Sequence, residues 1–200
     1  MYTNIALAAL ASVAAALPAP QAGTPQDPLK FGALALSTGS PIHLAHINAN
    51  NQEFVIGAPT TTACQPANVE GNSNTNQTIF TYVNGQGTLN LLTADAGGQQ
   101  VYVTEGDDTI GQVAGQLRFT EAHSVETDGP AIFTGFANVY DAKLQFEKHD
   151  WIACPDDLEE GAYVVYAGSR YKTDDSRCLG FDWKVVQLDD NVAPAWQYIK

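Results

Sequence analysis

Thr78-Ile79-Phe80-Thr81-Tyr82-Val83, then Asn84-Gly85-Gln86-Gly87, then Thr88-Leu89-Asn90-Leu91-Leu92 spell out strand, turn and strand in fifteen residues. Both flanks are rich in β-branched, aromatic and aliphatic residues, and Asn-Gly is a strong turn dipeptide. The same grammar extends in both directions. Upstream lie the runs Leu29–Leu36, Ile42–Ile47 and Glu53–Ile56. Downstream lie Gln100–Thr104, Gln116–Thr120, Ile132–Phe136, Lys143–Phe146, Trp151–Cys154, Ala162–Tyr166 and Trp183–Leu188. Thr38-Gly39-Ser40, Gly97-Gly98, Asp128-Gly129-Pro130 and Gly161 punctuate them. Only Glu105–Gln116 and Pro155–Glu160 leave room for a helical turn. Many short strands at regular spacing predict an all-β sandwich or barrel.

A weak internal echo narrows the options. Ile42–Gly57, Leu89–Thr104 and Leu144–Cys154 each read as strand, polar turn, then an apolar triplet. Three such units point to a β-trefoil-like fold, with another small barrel or a Greek-key β-sandwich as the alternatives.

The 200 residues suit a single domain large enough to bury its own core. A net charge of −13 from 9 basic and 22 acidic residues excludes nucleic-acid binding as the main task, because phosphate neutralisation needs clustered Lys and Arg. It equally disfavours docking on an anionic membrane.

Ile5 to Ala19 is almost unbroken apolar sequence ending in small residues. This predicts a secretory signal peptide over residues 1–16, cleaved after Ala16, with Ala19 and Ala22 as later alternatives. Tyr2, Thr3 and Asn4 supply no positive side chain before it. Residues 17–28 then read as a flexible lead-in and 29–200 as a single all-β domain. No later run approaches the length of a membrane span. The expected product is an extracellular monomer.

Secretion changes how Cys64, Cys154 and Cys178 are read. One bridge and one leftover thiol is the simplest outcome in an oxidising compartment. Cys154 with Cys178 is the favoured pair, closing a loop of about 25 residues. Asn76-Gln77-Thr78 is a glycosylation sequon within a polar run, so Asn76 is the expected glycan site.

The chemistry-bearing residues do not assemble into a catalytic signature. His43 and His46 stand three apart in an expected strand, where alternation sends them to opposite faces. Glu121, His123 and Ser124 are neighbours in sequence, but a hydrolytic triad needs convergence in space and an oxyanion hole. The acidic pairs Asp107-Asp108, Asp156-Asp157, Asp174-Asp175 and Asp189-Asp190 fall in expected turns, where solvated charge is the ordinary explanation. No catalytic residue, metal site or cofactor is therefore expected. Tyr163, Tyr166, Tyr171, Trp183, Trp196 and Tyr198 crowd the last third. Core packing is the first reading. The second is a carbohydrate platform, with Trp183, Trp196, Tyr163 and Tyr166 as contacts.

Several segments together resemble a known family. They are Phe31-Gly32-Ala33-Leu34-Ala35, Ser40-Pro41-Ile42-His43-Leu44, Gly97-Gly98-Gln99-Gln100-Val101-Tyr102-Val103, Thr120-Glu121-Ala122-His123-Ser124 and Trp151-Ile152-Ala153-Cys154-Pro155. Their order and spacing resemble secreted ascomycete proteins labelled IgE-binding protein, and through them the PhiA-type cell-wall proteins linked to phialide and conidium development. The resemblance implies a secreted, wall-associated fungal protein with no known enzymatic activity. Such relatives often carry a further cysteine soon after the equivalent of Cys64. Residues 65–71 here have none, which leaves Cys154 with Cys178 as the family-like pair. Cell-wall polysaccharide is the expected partner. A lectin-like wall module is the rival reading, with a secreted hydrolase or effector behind it.

Overall fold

Strict alternation in Leu29–Leu36 sends Leu29, Phe31, Ala33 and Ala35 inward and leaves their neighbours half-exposed, as one buried strand face requires. The computed structural model describes residues 28–63 and 77–199. Thirteen strands follow in chain order. They are β1 (Leu29–Leu36), β2 (Ile47–Asn50), β3 (Glu53–Ile56), β4 (Phe80–Tyr82), β5 (Leu89–Leu91), β6 (Gln99–Thr104) and β7 (Leu117–Phe119), then β8 (Ala131–Ile132), β9 (Phe136–Ala137), β10 (Lys143–Phe146), β11 (Trp151–Pro155), β12 (Tyr163–Ala167) and β13 (Leu179–Gln187).

Nine of them close a barrel in the order β1-β4-β5-β6-β7-β3-β12-β11-β13, and β13 returns to β1. The closing ladder is long, running from Phe31↔Gln187 to Leu36↔Asp182. Strands β2, β8, β9 and β10 are additions to this ring. The domain is therefore all-β and closed, which realises the barrel alternative. The third unit of the echo has its strand, turn and strand, but unlike β2–β3 and β5–β6 its two strands do not pair, since β10 and β11 each pair with β13.

The interior is built from aromatic rings. A continuous chain runs Tyr198–Phe119–Phe54–Phe80–Trp183–Trp151–Phe136–Phe146, with ring centroids 5.1–6.4 Å apart. Each tryptophan has an alanine opposite it across the ladder, Ala35 for Trp183 and Ala167 for Trp151. Pairing large with small is how a barrel of fixed radius accepts two indoles at 5.1 Å.

Three local expectations are corrected. Ile42–Ile47 is not a strand. Residues 41–44 form a turn in which Leu44 has φ 62°, and its N–H reaches back to the Ala35 carbonyl at 2.7 Å. Ile42 thereby drops into the core at 1% exposure. The run Ile132–Phe136 splits into β8 and β9, because Gly135 at φ 122° and Phe136 both donate to the Gly87 carbonyl. The segments around Glu105–Gln116 and Pro155–Glu160 are turns stiffened by Asp107 and Asp156, whose carboxylates accept from Thr109 and Leu158 N–H groups. The helical turn lies instead at Val139–Asp141, as a short 3-10 segment.

Cys154 and Cys178 are disulfide-bonded, tying β11 to the approach to β13. Cys64, Asn76, the predicted signal segment 1–16 and all but the last residue of the lead-in lie outside the described residues.

Two outcomes test this architecture. Replacing Cys154 or Cys178 by Ser costs about 2–5 kcal/mol in urea unfolding, and the double variant costs no more than either single one. Cys64→Ser costs less, and equal losses at all three positions would contradict the pairing. Ala35→Leu, which forces methyl groups against Trp183, costs about 1–3 kcal/mol in the same assay although it adds apolar surface.

Candidate functional site

The end of the chain is a strap across one mouth of the barrel. Ala94 and Asp95 N–H groups donate to the Ala195 and Trp196 carbonyls at 2.8 and 3.1 Å. On the other side Ala63 N–H donates to the Gln197 carbonyl at 2.9 Å, and Ile199 N–H to the Thr61 carbonyl at 3.2 Å. Between them Tyr198 enters the core, 2% exposed, and its phenol oxygen accepts the Ile79 N–H at 3.0 Å. Burial pushes that phenol up to about 12. Gln99, buried on β6, holds the plug. Its Oε1 accepts the Tyr198 N–H at 2.7 Å, and its Nε2 donates to the Tyr198 and Thr120 carbonyls at 2.9 and 2.8 Å. One side-chain amide thus replaces a missing neighbouring strand.

Beside this mouth the outer faces of β4, β5 and β6 form the floor of a groove of about 370 Å³. The ladder places Thr81 opposite Asn90 and Asn90 opposite Gln100, so three neutral hydrogen-bonding side chains stand in one row. All three are half-exposed. The wall opposite is the Gly97-Gly98 turn and the loop at Ser124-Val125. Gly97 has φ 95°, and a Cβ there would stand 2.8 Å from the His123 Nδ1. Glycine lets the imidazole close on the turn, so its Nε2 meets the Asp95 carboxylate at 3.0 Å. Asp95 is the charged residue among the described residues that line the groove. A smaller recess of about 300 Å³ adjoins the strap, between Gln52, Glu121 and Tyr198.

A third cluster lies further round the outer face. Register sets Arg118 between Tyr102 and Glu53. The guanidinium pairs with Asp128 at 2.8 Å but stands 4.0 Å from Glu53. Its attraction therefore goes mainly to Asp128. Burial pushes the Glu53 carboxyl above its ordinary range, and Arg118 opposes this without cancelling it. Burial likewise raises the Tyr102 phenol, against the pull of Arg118. The Asp128 link fastens the loop that ends at Ser124-Val125, aided by Gln112 Nε2 donating to the Asp128 carbonyl at 2.7 Å. Among the described residues no group of three or more His, Cys, Asp or Glu converges as a metal site.

The structure separates the aromatic residues that the second reading grouped as a carbohydrate platform. Trp183 is a correction: it is 0% exposed at the barrel centre, between Phe80 and Trp151, and no sugar can reach it. Trp196 sits half-buried on the strap, while Tyr163 and Tyr166 belong to β12. Tyr163 packs against the core, and Tyr166 stacks on Tyr171 at 4.0 Å, its phenol pushed up to about 12 mainly by burial. No ring contact joins Trp196 to either tyrosine. Of the neighbours Glu121, His123 and Ser124, His123 turns to Asp95, and the Ser124 hydroxyl accepts the Glu126 N–H at 3.0 Å. His43 accepts from the Ser37 N–H at 3.2 Å. Sequence reasoning missed the Thr81, Asn90 and Gln100 row. Alternation within each run marks them as outward-facing, but only the register aligns them.

Residues 31–199 match the model of the PhiA-like secreted protein family, and the chain belongs to that family. It is 27% identical over 188 residues to the cell wall protein phiA of Emericella nidulans, covering 93% of this chain and 94% of the relative. No solved structure matches. The segments Gly97–Val103 and Thr120–Ser124, on which the resemblance rests, both contribute to the groove.

The pH behaviour of Glu53 provides a check. Its folded-state value lies above the unfolded one, so folding disfavours the ionised form. The penalty is absent at low pH, grows as pH rises from the ordinary carboxylate value of about 4.3 towards the raised folded value, and then stays constant. Glu53→Gln removes it. In urea unfolding from pH 3 to 7, the variant gains stability relative to the native protein as pH rises. A relative loss over that range would contradict the assignment.

Proposed function

We propose that this secreted protein is associated with the fungal cell wall, acts without catalysing a reaction, and is held there as a monomer by contacts to wall polysaccharide. The observation that carries the reading is the in-register row of uncharged amide and hydroxyl groups along an open groove. Such a surface suits a polyhydroxylated polymer, which offers donors and acceptors but no charge. The similarity to the cell wall protein phiA of Emericella nidulans supports the location. The family resemblance extends the proposal to the walls of phialides and conidia, and to IgE binding. Asn76 is proposed to carry a glycan. Trp196, Tyr163 and Tyr166 remain proposed auxiliary sugar contacts at separate places.

The non-catalytic reading draws on how the one histidine–carboxylate pair of the groove is used. His123 and Asp95 brace the Gly97 turn, and the neighbouring Ser124 hydroxyl caps its own loop. The purified protein is expected to turn over none of a broad panel of glycoside, peptide and ester substrates. Fractionation of cultures is expected to place it in the wall, retained in 1 M salt and released by denaturant. Its absence from the wall fraction would sink the proposal.

A further inference from the structure

We infer that the groove over β4, β5 and β6 is a binding site for an extended neutral glycan, laid across the strands along Thr81, Asn90 and Gln100. This rests on the wall-associated reading and assigns it a place. Three observations carry it. First, none of the three side chains makes a hydrogen bond to another described residue, although each lies on a paired strand. Half-exposed amides with unspent donors and acceptors on a rigid sheet are prepared for a ligand at little entropic cost. Second, the spacing is set by the sheet. Adjacent strands lie about 4.8 Å apart, so the row presents one polar group per strand at that repeat. This is comparable with the advance per sugar along an extended β-linked chain, whose hydroxyls recur along its length. Third, the surroundings select against other polymers. Asp95 lines the groove and the chain carries −13, so an anionic polymer is repelled. Among the described residues no Lys or Arg lines it to pair with phosphate or sulfate.

The remaining surfaces suit the apolar faces of the sugar rings. The Gly97-Gly98 turn presents backbone without side chains, and Val125 stands 89% exposed at the rim. An exposed valine against a flat turn gives pyranose C–H faces somewhere to rest without an aromatic platform. Asp95, held by His123, has one oxygen committed to the imidazole and the other available to accept from a hydroxyl.

The test uses the full secreted protein and soluble oligosaccharides of β-1,3-glucan and of chitin, with polygalacturonate as the anionic control. Calorimetric titration is expected to show saturable binding to one neutral series, unchanged between low and high salt, and none to the anionic polymer. Asn90→Ala with Gln100→Ala is expected to weaken that binding roughly tenfold or more, the effect of losing two hydrogen-bonding side chains. Lys184→Ala, an exposed change on β13, is expected to leave it unaltered. Thermal melting of each variant checks that the barrel is intact. Native-like binding by a folded Asn90/Gln100 double variant would overturn the site. So would wall retention of the native protein with no binding to either neutral series, and in both cases the wall-associated reading would survive. Absence of the native protein from the wall would instead remove the reading beneath it.

Discussion

The pairing of β1 with β13 is the contact on which the rest of the structure depends. It joins the first and last strands of the ring through six residue pairs, and it leaves the ring without an open edge. Closure also sets the interior. Phe31, Ala33 and Ala35 from one strand meet Trp183 and Val185 from the other, and the radius of a closed barrel cannot swell to absorb a poor fit. That is why alanines face the tryptophans. An open sheet could spread to admit a larger residue at position 35, whereas a closed one can only strain.

Closing the ring solves the edges and leaves the mouths. One mouth is plugged by Tyr198, and the amide of Gln99 supplies the hydrogen bonds that a strand would otherwise provide. A buried glutamine is costly unless all its groups are used, and here both ends are engaged. The same device shapes the neighbouring surface. By drawing the strap against Ala94 and Asp95 it fixes the β5–β6 turn, and that turn forms one wall of the groove. Core and surface are thus coupled through Gln99, whose side chain points inward while its neighbour Gln100 faces the groove.

The functional reading follows from a division of labour between aromatics and amides. The large rings, which sequence composition marks as candidate sugar contacts, are spent mainly on the interior. The outer face uses small polar groups held by the ladder. Membership of the PhiA-like secreted family is compatible with such a molecule, a closed barrel with an uncharged polar row on an acidic body.

Much of the fold was legible in the residues themselves. The runs Leu29–Leu36, Glu53–Ile56 and Lys143–Phe146 are strands with those same bounds, because alternation and β-branched or aromatic content report a half-buried strand directly. The bridge between Cys154 and Cys178 was also favoured by loop length. The turns were less visible. Polar runs mark a turn around Asn51-Gln52 and Glu147-Lys148, but both positions of each pair hold positive φ without glycine, so composition does not place the tight reversal. For Trp183 the sequence admits both core, the first reading, and platform, because crowding in sequence does not distinguish the two. The groove was the least legible part. Thr81, Asn90 and Gln100 belong to three separate runs, and each alone is an ordinary polar residue facing out. Local propensity determined which segments became strands and which side of each faced water. Which strands became neighbours, in what register, and hence which side chains stand together was decided by barrel closure, since that depends on contacts between residues far apart in the chain.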